Sequence, residues 1–153
     1  MSESLMSERL HIVATIDPDN YAASTVGSDA WDMQKYRQAM VIMMSGAVAA
    51  TGTLDWKLKE SATSNGTFTT YTGKGTATPH TTTYTDSQSI INISSKELAA
   101  TTITGARWCK LHMTVGTTTV FAGAVVLASE SRFKEPWTTI SYADLSTVIE
   151  IVA

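Results

Sequence analysis

The chain has 153 residues, with 11 Lys and Arg against 14 Asp and Glu and a formal net charge of −3. Charged residues make up 16% and hydrophobic residues 43% of the chain, which excludes a disordered chain, because disorder needs high charge and few apolar residues. The length predicts one domain. The 25 threonines predict an all-β protein, because β-branched side chains pack well on a pleated surface.

Several functional classes are disfavoured by the same composition. Basic residues form no stripe, so we expect no binding to nucleic acid. No run of 18 uncharged apolar residues occurs, so no membrane span is predicted. Residues 1–10 include Glu3 and Arg9 and lack the apolar core of a secretion signal. The single Cys109 cannot form a disulfide within the chain, and we expect synthesis in a reducing cytoplasm.

The first strand is predicted over residues 11–16 and a turn over residues 17–20, where Asp, Pro and Asn cluster. Residues 31–50 are ambiguous, since Asp29 is able to cap a helix there. The apolar run 40–44, bounded by Ser45 and Gly46, favours a strand instead. We predict a strand or short turn at residues 31–32 and a strand buried on both faces over residues 37–46.

The clearest pattern follows at Leu54, Trp56 and Leu58, which alternate with polar residues and predict a strand with one wet face. Asn65-Gly66 then predicts a tight hairpin, because both residues accept a positive φ. The return strand is predicted over residues 67–72.

The rest of the predicted body contains a long loop, three strands and one helical turn. The loop covers residues 73–87, and a strand over 89–94 precedes a capped turn at residues 94–97. Two further strands cover residues 107–115, with Cys109 on the same face as Leu111, and 119–129. About seven strands at intervals of about ten residues are typical of a sandwich or barrel.

The terminal segment departs from this pattern. It places aromatic residues on either side of Pro136 and ends in the apolar residues 148–152. Three interpretations stay open: the last strand of the sandwich, a disordered tail, or an arm that adds its strand to another subunit. The predicted organisation is a flexible N-terminus over residues 1–10, a β-sandwich over 11–130, and a C-terminal arm or terminal strand over 131–153.

No catalytic constellation is predicted. His11, His80 and His112 fall on three separate elements without the spacing of a metal site. Cys109 is predicted to be a small buried hydrophobic residue rather than a reactive thiolate. We therefore expect no enzyme activity, no cofactor and no metal.

Several segments together resemble small structural proteins encoded in the head modules of tailed bacteriophages. The resemblance covers about residues 12–129. It is carried by Ala14 to Tyr21, Trp31-Asp32-Met33 with Tyr36, Leu54 to Ser61 before Asn65-Gly66, Ile90 to Ile93, Lys96-Glu97-Leu98, Ala106 to Leu111, and Ala124 to Leu127.

This resemblance implies a capsid decoration (cement) protein or minor head component. The implied fold is an antiparallel β-sandwich, jelly-roll or β-tulip-like. The extended C-terminal arm is predicted from the residues themselves and lies outside the resemblance. The implied partners are the major capsid protein and copies of the chain itself, as a homotrimer, on the capsid surface of a virion assembled in the host cytoplasm. The alternatives are a tail or neck component and a carbohydrate- or receptor-binding sandwich. The predicted interface residues lie in the arm: Arg132, Phe133, Trp137, Ile140, Tyr142, Val148, Ile149 and Ile151.

Overall fold

The computed structural model describes residues 9–76, 78–101 and 103–131 of the chain. These ranges contain nine strands, one 3₁₀ turn over Thr82–Tyr84 and one α-helix, α1, over Ser95–Ala99. The strands are β1 Leu10–Tyr21, β2 Ser24–Gly27, β3 Trp31–Asp32, β4 Tyr36–Val48, β5 Thr53–Ser61, β6 Thr69–Gly75, β7 Ser87–Ser94, β8 Trp108–Gly116 and β9 Val120–Ser131. No helix within these ranges has the length and apolar character needed to cross a bilayer.

The strands form two antiparallel sheets. The front sheet has the order β1-β9-β4-β7, and the back sheet has the order β2-β8-β5-β6, with β3 also paired to β8. If β2 and β3 count as one interrupted strand, the pairs are nested: β5 with β6, β4 with β7, β2 and β3 with β8, and β1 with β9. A long hairpin rolled up in this way is a jelly roll. The predicted antiparallel β-sandwich is therefore confirmed.

The core lies between the two sheets, where alternate residues of each strand meet. On β5 the inward residues Leu54, Trp56 and Leu58 are at most 1% exposed. On β8 the inward set that includes Cys109 and Leu111 is fully buried. Period-two alternation therefore predicted the inward faces of both strands correctly.

The predicted turn at residues 17–20 is wrong, because β1 continues through it to Tyr21. Asp17 and Pro18 lie opposite the single residue Gly123, which makes a bulge in the register with β9. A Cβ at Gly123 would lie 2.9 Å from the Pro18 Cα. Proline is tolerated here because β1 is an edge strand, where one row of N–H groups needs no partner in the sheet.

The predicted tight hairpin at Asn65-Gly66 is also wrong in its turn. β5 and β6 do pair, but the last pair is Glu60 with Thr69, and residues 62–68 form a longer loop. Neither Asn65 nor Gly66 has a positive φ. β5 is held by β8 as far as Ser61, so the sheet, rather than the dipeptide, determines where the hairpin closes.

Ser94 caps α1 as the sequence predicts. Its Oγ accepts a hydrogen bond from the Glu97 N–H at 3.1 Å, and its own N–H donates to Glu97 Oε2 at 2.8 Å. We expect Ser94→Ala to lower the free energy of unfolding by about 1 kcal/mol. Chemical denaturation followed by circular dichroism measures this, with Ser64→Ala in the exposed 62–68 loop as control. Equal midpoints for the two variants would contradict the role of the cap.

Candidate interaction surface

The outer face of the back sheet is polar. Asp55, Lys57 and Lys59 of β5 stand opposite Thr114, His112 and Lys110 of β8. Lys57 Nζ lies 2.9 Å from Asp55 Oδ2. Burial, followed by the positive charges of Lys59 and Lys110, lowers the pKa of His112. Covering this face would desolvate several charged groups, so it is suited to contact with water.

The outer face of the front sheet is apolar by contrast. Met40 pairs with Leu127 and Ile42 with Val125, while Leu127 pairs with Ile12 and Ile42 with Ile90. Directly opposed residues point to the same side of an antiparallel sheet. We call this surface the apolar front face, formed by Ile12, Met40, Ile42, Met44, Ile90, Phe121, Val125 and Leu127.

Three members of the apolar front face are strongly exposed: Ile90 at 58%, Phe121 at 55% and Met44 at 45%. The prediction that residues 37–46 are buried on both faces is therefore wrong, because only the inward side of β4 is covered. Four strands by the seven residues from Phe121 to Leu127 span roughly 19 Å by 24 Å, on the order of 450 Å². The polar residues Thr15, Gln88 and Asn92 lie within this area, opposite Val125, Met44 and Met40. Patches of this size on a single chain often mark contact sites.

A groove of about 450 Å³ lies at one end of this face. Met40, Asn92 and Leu127 line it, together with Ser129 near the end of β9. β9 therefore ends at Ser131, two residues beyond the groove.

A lysine and a glutamate, both among the groove's lining residues, hold one side of it together. Lys74 Nζ donates to Glu97 Oε1 at 3.0 Å and to the Asn92 carbonyl at 2.6 Å. The hydrogen bond from Lys74, together with that from the Ser94 N–H, lowers the pKa of Glu97. This bridge ties β6 to β7 and α1, and so fixes the shape of the groove.

The histidines that the sequence singled out occupy separate places. His11 on β1 lies 5.8 Å from the Tyr36 ring, and His80 stacks on Tyr84 at 4.6 Å. His112 is on the outer face of the back sheet. Among residues 9–76, 78–101 and 103–131, no three His, Cys, Asp or Glu side chains are grouped so that they could hold a metal ion.

Cys109 points into the core and is fully buried. Burial raises the pKa of its thiol to about 12, and the negative charges of Glu60 and Asp32 add to the effect. A thiolate is the nucleophilic form of cysteine, so this environment suits a packing residue rather than a reactive one.

The predicted interface residues all fall outside the described part of the chain: Arg132, Phe133, Trp137, Ile140, Tyr142, Val148, Ile149 and Ile151. The apolar front face was missed by sequence reasoning. Its signal was the unbroken apolar run over residues 40–44, together with Val125 and Leu127 on the strand that pairs with it.

The strand order defines a jelly-roll sandwich with one polar and one apolar outer face. Its fold is similar to that of a chain in a solved structure of infectious bursal disease virus, Gt strain, with a TM-score of 0.50 and 12% sequence identity. The match covers 82% of this chain and 34% of the virus chain, so the chain spans about a third of that protein. No protein-family profile matches the sequence, and a search of curated proteins finds no match.

Proposed function

We propose that the protein is a structural component of a virion, which binds the outer surface of a bacteriophage capsid and cements neighbouring copies of the major capsid protein. The observation that carries this proposal is the apolar front face on an otherwise polar jelly roll. The likeness in fold to a chain in a virus structure supports it. In this role the protein acts by contact alone, without a catalytic centre or a cofactor.

The two outer faces suit a protein whose apolar front face is covered by a neighbouring subunit of the assembly and whose back sheet faces water. At about 25 cal/mol per Å², burying all of the roughly 450 Å² of this face contributes at most about 11 kcal/mol before any cost, because only its apolar part counts. Association itself costs about 4–15 kcal/mol, so one face gives a weak contact. Weak contacts become strong when one subunit holds two sites at once. Cementing therefore needs a second contact on each subunit.

The C-terminal residues 132–153 supply that second contact in our proposal. Phe133 and Trp137 serve as apolar anchors, and residues 148–152 add a strand to a neighbouring subunit. The neighbours are the major capsid protein and other copies of this chain, assembled as a homotrimer. β9 is the last strand of the described residues and ends at Ser131, directly before this segment.

The proposal is tested with purified expanded capsids that lack the protein. We expect the full chain to bind them, and a chain that ends at Ser131 to bind at least tenfold more weakly, measured by co-sedimentation over a range of concentrations. Thr70→Gln, an exposed residue of β6, serves as control and should bind as the full chain does.

Two results would count against the proposal, each against a different part. Equal binding by the truncated chain would remove the role of residues 132–153. Failure of the full chain to bind capsids would remove the cementing function, and a position at the tail or neck of the particle in a density map would replace it with the alternative virion role.

A further inference from the structure

The apolar front face raises the question of what covers it. One candidate is the same face of a second copy, packed sheet against sheet. A stable interface buries about 800 Å² on each partner, whereas the face offers on the order of 450 Å². Direct pairing of two such faces therefore falls short of a stable dimer.

The C-terminal segment fits the face better. β9 ends at Ser131, two residues after Ser129 of the groove that Met40 and Leu127 also line at one end of the face. Phe133 and Trp137 follow within six residues, and aromatic side chains bury about 150–250 Å² each. Two of them match most of the apolar front face. Residues 1–8, which precede β1 in the sequence, hold only Met1, Leu5 and Met6 as large apolar residues.

The sequence after β9 favours the face of a second copy over the face of the same subunit. To lie on its own sheet, the chain must reverse direction just after Ser131. Tight reversals use Gly, Pro, Asn, Asp or Ser, and residues 132–135 contain none of them, the first after Ser131 being Pro136. Pro136 restricts Glu135 to extended conformations. A tight reversal directly after Ser131 is therefore disfavoured.

We propose that residues 132–153 of one subunit dock on the apolar front face of a second copy of this chain, with Phe133 and Trp137 at the groove. In this arrangement the C-terminal segment of each subunit contacts the apolar front face of the next. Because the two contacting surfaces differ, the subunits close into a ring when the rotation between copies allows it. This inference rests on the proposed function, because it supplies the self-association that a cementing homotrimer requires.

The test measures mass in solution by analytical ultracentrifugation, with no capsid present. We expect the full chain to sediment at two or more times the 16.4 kDa of one chain. Phe133→Gln with Trp137→Gln should reduce the mass to that of one chain, and so should Met44→Gln with Ile90→Gln on the face. The control Thr70→Gln on the back sheet should keep the mass of the full chain.

Mixing the two double variants identifies the docking partner. The variant with Phe133→Gln and Trp137→Gln keeps the apolar front face but lacks the anchors. The variant with Met44→Gln and Ile90→Gln keeps the anchors but lacks the face. Together they should form a one-to-one complex of two chains. A monomeric full chain, or variants that stay separate on mixing, would overturn the proposal in favour of docking within one subunit. A face variant that is monomeric beside an anchor variant that still associates would overturn it in favour of face-to-face pairing. Since capsids are absent, none of these outcomes depends on capsid binding.

Discussion

Trp56→Ala is expected to lower the free energy of unfolding by about 3–5 kcal/mol. Trp56 is 1% exposed and lies in the middle of β5, directly opposite Met113 of β8. Its removal takes apolar contacts away and leaves a cavity that the surrounding strands cannot fully close. For a chain of this length, the loss corresponds to a fall in Tm of about 6–20 °C.

The measurement is urea denaturation of the full chain, followed by tryptophan fluorescence and circular dichroism. Thr70→Ala is the matched control, because Thr70 is exposed on the neighbouring strand β6, and it should change the free energy of unfolding by less than about 0.5 kcal/mol. If Trp56→Ala lowered the free energy of unfolding by less than 1 kcal/mol, Trp56 would not be packed between the two sheets as described.

The parts of the fold that sequence predicted well are those that depend on neighbouring residues. Alternation identified the buried sides of β5 and β8, because a strand with one wet face carries a period of two. The capping box of Ser94 and Glu97 was found for the same reason, since both partners lie within four residues of each other. The pairing of β1 with β9 depends on residues far apart in the chain and had no local signal.

Local rules failed where the sheet imposed a different geometry. Asp17 and Pro18 have strong turn propensity, yet the edge position of β1 and the bulge opposite Gly123 keep them in a strand. Asn65-Gly66 has the strongest hairpin signal of the chain, yet pairing of β5 with β8 sets the length of the loop. In both places the pairing of strands outweighed a local conformational preference of the residues, which is worth about 1 kcal/mol.

The candidate site shows a different kind of failure. An apolar run such as residues 40–44 predicts burial, but it does not say whether the covering surface belongs to the same chain. Met44 and Ile90 are exposed in the sandwich, so the cover for this side of β4 must be sought outside it. The outer side of β4, which the sequence predicted to be buried and which is exposed, is therefore the observation that identifies the interaction surface.

Cys109 makes the stability of the protein sensitive to alkaline pH. Burial, then the charges of Glu60 and Asp32, raise the pKa of its thiol from 9.0 to about 12. Between these two values the unfolded chain has lost the thiol proton while the folded chain retains it. The folded state then binds more protons, so the free energy of unfolding falls as pH rises.

The contribution of the Cys109 thiol to the free energy of unfolding is fully present below pH 9 and is lost as the pH rises towards about 12. At about 1.36 kcal/mol per pH unit, the loss is about 4 kcal/mol over the whole range and about 3 kcal/mol by pH 11. Denaturation midpoints measured from pH 7 to pH 11 for the full chain and for Cys109→Ala test this. Because burial also raises the pKa of Tyr21 and Tyr71, both proteins should lose stability, but the curve for Cys109→Ala should be flatter. Parallel curves would mean that the thiol reaches water in the folded protein.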